Sequence, residues 1–235
     1  MIAIKQAQEM VLTCLADKIP EFYLVGGTAL SEFYFHHRES FDLDFFTRKY
    51  DNTQVLAIIE RLKKEIGIRA KLLNSSAKEG LAKFSIYLTS FPDNTELKLD
   101  FVEDYINLLE PFNLVNGVNV LAIEDIYLRK LFAAGGTVAA LDETGKIISL
   151  GGRQEAKDFF DLYFLSTTLS PMSTFVKENG SNQLKEGLIR WFRSYDRLSM
   201  KTGLLDIKTR TPIDYKIAEK HFKGEIDKIL EEEIN

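Results

Sequence analysis

The sequence predicts an α/β chain in which strands and helices alternate up to about residue 120 and helices predominate afterwards. Three observations carry this reading. Residues 22–25 and 42–46 are short apolar runs, of strand length and bulk. Residues 81–88 alternate with period two, and 96–102 (ELKLDFV) read as the next strand. Residues 123–134 and 154–166 have the apolar composition and length of helices.

The elements follow in order. Residues 4–16 have apolar residues near helical spacing and form an amphipathic first helix, stopped by Pro20. The strand 22–25 breaks at Gly26, Gly27 and Thr28, and 29–34 has the composition of a helix start. Residues 36–41 connect to the run Asp42-Leu43-Asp44-Phe45-Phe46. Asp51 and Asn52 supply a cap for a helix to about Ile66, with Val55, Ile58, Ile59 and Leu62 on one face and Gly67 ending it. Strands are expected over 68–73, 81–88 (Phe84, Ile86 and Leu88 on one face) and 96–102, with a turn at 92–94. Residues 108–120 read as irregular or short-stranded around an Asn116-Gly117 turn. After the helix 123–134, the glycine-bearing stretch 135–152 reads as a mobile loop, with a hairpin over 146–150. A helix over 154–166, another opened by Ser170-Pro171, and further helices with loops at 179–182, near Gly203 and near Pro212 complete the chain.

Composition narrows the class. The 235 residues suffice for one large domain or two small ones. Hydrophobic residues at 45% and charged residues at 28% are ordinary for a globular protein. A net charge of −5 does not advertise nucleic-acid binding by the whole surface. Residues 1–15 lack the continuous apolar core of a signal peptide, and no uncharged run reaches membrane-spanning length. Cys14 is the single cysteine, which excludes an internal disulfide and a cysteine-based zinc site. A reducing cytoplasm is the expected location.

The chemistry concentrates in residues 22–46. Period two puts Asp42 and Asp44 on one face of a strand, with Leu43 and Phe45 on the other. Two neighbouring carboxylates repel and are costly to bury, so a strand that keeps both usually binds a cation. Hard oxygen ligands with room for water suit Mg²⁺. A glycine pair before a helix lets backbone N–H groups approach a phosphate. Either feature alone is commonly a turn or a solvated loop, whereas in this order between apolar strands they describe a metal–phosphate site.

Gly26-Gly27-Thr28-Ala29-Leu30 followed by Arg38-Glu39-Ser40-Phe41-Asp42-Leu43-Asp44-Phe45 resembles the first motif of the DNA polymerase β-type nucleotidyltransferases, and more narrowly that of the AbiEii/AbiGii toxin family, which includes the MenT toxins. Lys157-Asp158-Phe159-Phe160-Asp161-Leu162-Tyr163 resembles a later family motif, with lysine for arginine and phenylalanine for tyrosine.

The resemblance implies a polymerase β-like core over 1–120, α/β with a mixed, mostly antiparallel sheet of about five strands, ahead of a helical half over 121–235. It implies transfer of a nucleoside monophosphate from a nucleoside triphosphate (NTP) to an acceptor, helped by two Mg²⁺ ions on Asp42, Asp44 and a third acid, Asp100. Nucleotide binding falls to Gly26, Gly27, Thr28, Arg38 and Ser40. Arg38 or Lys130 is expected to offset charge on the triphosphate, and Asp158 to orient Lys130 or a catalytic-loop group, with Asp161 the weaker candidate. Lys98 shares the Asp100 face by period two and either balances the acidic cluster or is simply exposed. Without the resemblance, Asp100 is an exposed strand carboxylate, Lys130 is a surface lysine, and Asp158 and Asp161 form an acidic stripe.

Related toxins imply RNA, at the tRNA 3′ end, as acceptor and a cognate antitoxin as partner. A small-molecule or protein acceptor, or an inactive interaction module, are the rival readings. Residues 190–223 hold nine Lys or Arg against four Asp or Glu, with Trp191, Phe192 and Tyr195 interleaved. They are read either as a nucleic-acid surface or as helical core with solvated lysines.

Overall fold

In the computed structural model, the described residues are 2–78, 81–136, 138–141, 147–150, 152–209 and 211–234. They form two compact units, Met1–His36 with Ser40–Asp125, and His37–Glu39 with Ile126–Asn235.

The first unit is built on a seven-stranded mixed sheet. Its strands are β1 (Phe22–Val25), β2 (Asp42–Thr47), β3 (Arg69–Ser76), β4 (Phe84–Ser90), β5 (Glu96–Glu103), β6 (Asn113–Val115) and β7 (Val118–Val120), in the order β3-β4-β5-β2-β1-β7-β6. β2–β5 and β1–β7 are parallel and the other four pairings antiparallel. The sheet therefore exceeds the expected five strands. The added pair comes from 108–120, where Asn116 (φ 50°) and Gly117 (φ 76°) both take the left-handed conformation that a two-residue type I′ hairpin turn requires.

Two helices of this unit follow the sequence periodicity. α1 (Ile4–Leu15) buries Ala7, Gln8, Val11, Cys14 and Leu15, and packs against β5. Between β1 and β2 the chain makes a short α2 (Gly26–Ala29) that widens into a π-helical turn, Leu30–Phe35, ended by left-handed His36. α3 (Asn52–Ile66) buries Val55, Ile58, Ile59 and Leu62. Asp51 caps it by accepting from the Thr53 N–H at 2.8 Å, and Gly67 ends it at φ 70°.

Alternation along the central strands separates two faces. Leu43, Phe45, Leu97, Leu99 and Phe101 are buried, and the Phe45 and Phe101 rings stack. Asp42, Asp44, Lys98 and Asp100 lie on the opposite, half-exposed face. On β4 the buried residues are Ser85, Tyr87 and Thr89, while Phe84, Ile86 and Leu88 share the half-exposed face with the carboxylates. Ser85 and Thr89 are tolerated inside because each is bonded, to Tyr50 Oη at 2.6 Å and to the Leu97 carbonyl at 2.8 Å.

The second unit holds α4 (Ile123–Gly135, which begins in the first unit), α5 (Ala156–Thr168), α6 (Met172–Asn179), α7 (Asn182–Ser194), α8 (Arg197–Leu205) and α9 (Tyr215–Ile234). β8 (Val138–Leu141) and β9 (Ile147–Leu150) pair antiparallel, so the expected hairpin exists but draws its first strand from earlier in the chain. Lys146 lies outside the described residues.

Its core is aromatic. The Phe159 ring meets Trp191, Tyr195, Tyr215 and Phe222. Trp191, Phe192 and Tyr195 are buried, which removes them from any stacking surface for nucleic acid. Gly203 lies within α8 rather than in a loop. Pro171, not Ser170, takes the N-cap position of α6, without a side-chain cap. Among the described residues no helix is long and apolar enough to cross a membrane.

Candidate active site

The carboxylates of the first unit are placed by strand register. Parallel pairing sets Asp44 opposite Asp100 and Asp42 opposite Lys98, and period two sends all four side chains to one face. On the other side of β2, Asp44 faces Val25, the last residue of β1. The chain leaves β1 through Gly26 at φ 73°, a conformation that favours glycine. A Cβ built there would collide with the Asp44 carboxylate. The glycine is thus needed twice, by the backbone and by the acid beside it. Gly27 follows, buried, within α2.

Asp42 is held by two side chains. The hydroxyl of buried Thr28 lies 2.9 Å from Ser40 Oγ and within hydrogen-bond reach of the Asp42 carbonyl. Gln8, buried on α1, donates to the Ser40 carbonyl at 3.0 Å and lies 3.4 Å from the Asp42 carbonyl. Thr28 and Ser40 therefore brace the entry to β2. Gln8 was not singled out from sequence; its signal is an amide inside the apolar stripe of α1.

Lys98 stands among the acids, its ammonium 3.0 Å from Asp100 Oδ2 and 3.4 Å from Asp42 Oδ2. Burial pulls its pKa down. The hydrogen bond and charge of Asp100, with the charges of Asp42 and Asp44, outweigh that and hold it above the ordinary lysine value. Burial pushes the Asp100 carboxyl up; Lys98 opposes the shift and Asp42 adds to it. Asp100 Oδ1 is buried with no hydrogen-bond partner among the described residues.

Among the described residues no three acidic, imidazole or thiol groups converge as a ready-made metal cage. The donor chemistry nevertheless fits a hard divalent ion. The donors are carboxylate oxygens on adjacent strands, one of them buried and unsatisfied, and Mg²⁺ keeps several waters rather than needing an all-protein shell.

The remaining expected residues lie in the second unit and form one charged network. Arg38 grips Asp161 in a bidentate fork, Nε to Oδ1 at 2.6 Å and Nη2 to Oδ2 at 2.8 Å, while Nη1 donates to the Glu39 carbonyl. His37 Nε2 lies 2.8 Å from Asp161 Oδ1. The Lys130 ammonium is 2.6 Å from Asp161 Oδ2 and 2.7 Å from Asp158 Oδ1. Arg153, outside the expected set, joins Asp158 at 2.5 Å. Three fixed cations thus meet two carboxylates.

Burial raises both carboxyl pKa values, but Lys130 outweighs it, with Arg153 at Asp158 and with Arg38 and His37 at Asp161, and both end below the ordinary range. Burial lowers Lys130, and Asp161 and Asp158 more than restore it. Asp158 and Asp161 are therefore no exposed acidic stripe, and Lys130 is no surface lysine. Asp161, the weaker candidate from sequence, is contacted by Arg38, Lys130 and the His37 ring. Its signal was an acid on a helix that is apolar on nearly every other side.

A mixed sheet carrying Asp-x-Asp behind a Gly-Gly turn, with a third acid on the neighbouring parallel strand, defines a nucleotidyltransferase of the polymerase β-like fold. The family described as nucleotidyl transferase AbiEii toxin, type IV toxin–antitoxin system, matches residues 11–235, and the chain belongs to it. Two solved Helicobacter pylori structures share the fold. JHP933 is 21% identical, with a TM-score of 0.56 over 97% of this chain and 90% of that one. A second, solved as a candidate nucleotidyltransferase, is also 21% identical, with a TM-score of 0.57 over 97% and 94%. No curated protein matches.

Proposed function

We propose that this nucleotidyltransferase transfers a nucleoside monophosphate from an NTP to RNA, at the tRNA 3′ end, with Mg²⁺ held by Asp42, Asp44 and Asp100. The observation that carries the metal assignment is the row of three carboxylates on one face of β2 and β5, with Asp100 Oδ1 buried and unsatisfied. Bound there, two ions would neutralise triphosphate charge and lower the pKa of the attacking hydroxyl.

The protein's own groups position and neutralise. Gly26 and Gly27 open the turn to a phosphate, since neither presents a side chain. Thr28, with Ser40 and Gln8, holds the backbone of Asp42, so that β2 presents its carboxylates at fixed spacing. The nucleotide roles of Arg38, Lys130 and Asp158 rest on the family resemblance, and variants of each test them.

Membership of a toxin–antitoxin family supports the antitoxin partner, while the RNA acceptor rests on the resemblance to toxins that add nucleotides to the tRNA acceptor end. The deciding experiment supplies each α-labelled NTP to the protein with total RNA, with a metabolite extract or with protein, with and without Mg²⁺. Label in the tRNA fraction that requires Mg²⁺ and is lost in Asp42→Asn is the expected result. Label in metabolites or protein alone refutes the RNA acceptor, and transfer that persists in EDTA refutes the metal assignment.

A further inference from the structure

Lys98 has a setting that no assigned role uses. Strand register puts it opposite Asp42 on β2 and opposite Leu88 on β4, and period two puts Asp100 beside it on its own strand. Its β4 neighbours on this face, Ile86 and Leu88, offer no charge, so the acids are the partners within reach. The ammonium bridges Asp42 and Asp100 while Asp100 Oδ1 stays unsatisfied. One monovalent cation thus stands among three carboxylates.

We propose that Lys98 is a resident counter-ion of the carboxylate site, which a divalent ion must displace from Asp42 and Asp100 in order to bind. The proposal rests on the metal reading above. Like charges within a few ångströms exclude each other from a shared set of carboxylates, and the lysine stem has four rotatable carbons with which to withdraw. Lys98 then keeps the metal-free site from repelling itself and sets a threshold for metal occupancy. A freed ammonium is also a point charge suited to phosphate.

The test is Mn²⁺ binding without nucleotide, followed by the loss of the free-ion electron paramagnetic resonance signal. It compares the unsubstituted chain with Lys98→Met, Lys98→Gln and Lys98→Arg. Removing the charge is expected to tighten Mn²⁺ binding about tenfold, which is about 1.4 kcal/mol. Lys98→Arg, which keeps the charge, is expected at or below wild-type affinity. Melting in EDTA should fall for Met and Gln and recover with Mg²⁺. Either neutral variant suffices should the other fail to fold.

Unchanged or weaker Mn²⁺ binding in the neutral variants overturns the proposal, as does tighter binding in Lys98→Arg. If wild type binds Mn²⁺ and Asp42→Asn abolishes it, the metal reading survives such a failure and Lys98 alone is rejected. If no form binds Mn²⁺, both fall together.

Discussion

The Lys130 ammonium lies 2.6 Å from Asp161 Oδ2, with both side chains withdrawn from water. Such a pair is not the exposed salt bridge whose loss is nearly neutral. Removing one partner of a buried pair typically costs about 3–5 kcal/mol, because the other charge is left uncompensated. Lys130→Ala is expected to destabilise by that amount, measured by chemical denaturation. A catalytic role adds a separate loss of about a hundredfold in turnover per folded molecule at saturating nucleotide. Near-native turnover after correction for folded fraction would leave Lys130 a purely structural residue.

The same network sets the acid limit of stability. The folded pKa values of Asp158 and Asp161 lie below their ordinary values. Their contribution is therefore complete above the unfolded carboxylate pKa, about 3.9, and is lost as pH falls through the lower folded values. Lys130 is raised, so its contribution is complete below the unfolded lysine pKa and lost only as pH rises through the higher folded value. The network should hold constant strength between about pH 5 and 9, with unfolding below about pH 4. Melting temperature against pH, with Asp161→Asn for comparison, tests this. A network loss centred near neutrality would contradict it.

Gly26 and Gly67 both have left-handed backbones, with φ of 73° and 70°, but different surroundings. A Cβ at Gly67 meets only Pro92, at 3.8 Å, whereas one at Gly26 meets the Asp44 carboxylate. Gly67→Ala should therefore lose about 1 kcal/mol from backbone strain alone. Gly26→Ala should lose more, about 2–3 kcal/mol, and displace Asp44, so that transfer fails even in folded protein. Equal effects in denaturant melts would show that the carboxylate yields.

Thr28 and Gln8 converge on the Asp42 backbone, so their variants should not be independent. Thr28→Val and Gln8→Leu are each expected to lose about 1–2 kcal/mol, with a double variant that departs from additivity by at least about 0.5 kcal/mol. Strict additivity in thermal denaturation would mean that the two bonds support different parts of the turn.

Asp42→Asn should remain folded, since the side chain is partly solvated and an amide has the same shape. Its transfer activity should drop at least about a hundredfold, because an amide does not replace a charged ligand. The melting curve and labelled-nucleotide transfer are read on the same sample. Wild-type activity would exclude Asp42 from the chemistry.

Short-range features were legible because they depend on near neighbours in the chain. Period two disclosed that Asp42 and Asp44 share a face, helical spacing disclosed the stripes of α1 and α3, and Asp51 and Gly67 marked the ends of α3. The order of Gly26, Gly27, Thr28 and Asp-x-Asp identified the family. Features set by register and packing were not legible. Alternation in β4 does not say which face is covered, and Phe84, Ile86 and Leu88 stand on the open one because β5 pairs in parallel with β2 and carries Asp100 to that side. Period two already put Lys98 on the face of Asp100, but its place opposite Asp42 comes from the register of β5 on β2. The bonds of Arg38 to Asp161 and of Lys130 to Asp158 join residues 123 and 28 positions apart. No local pattern specifies such partners. Only tertiary packing, by withdrawing Asp158 and Asp161 from water, makes those cations necessary.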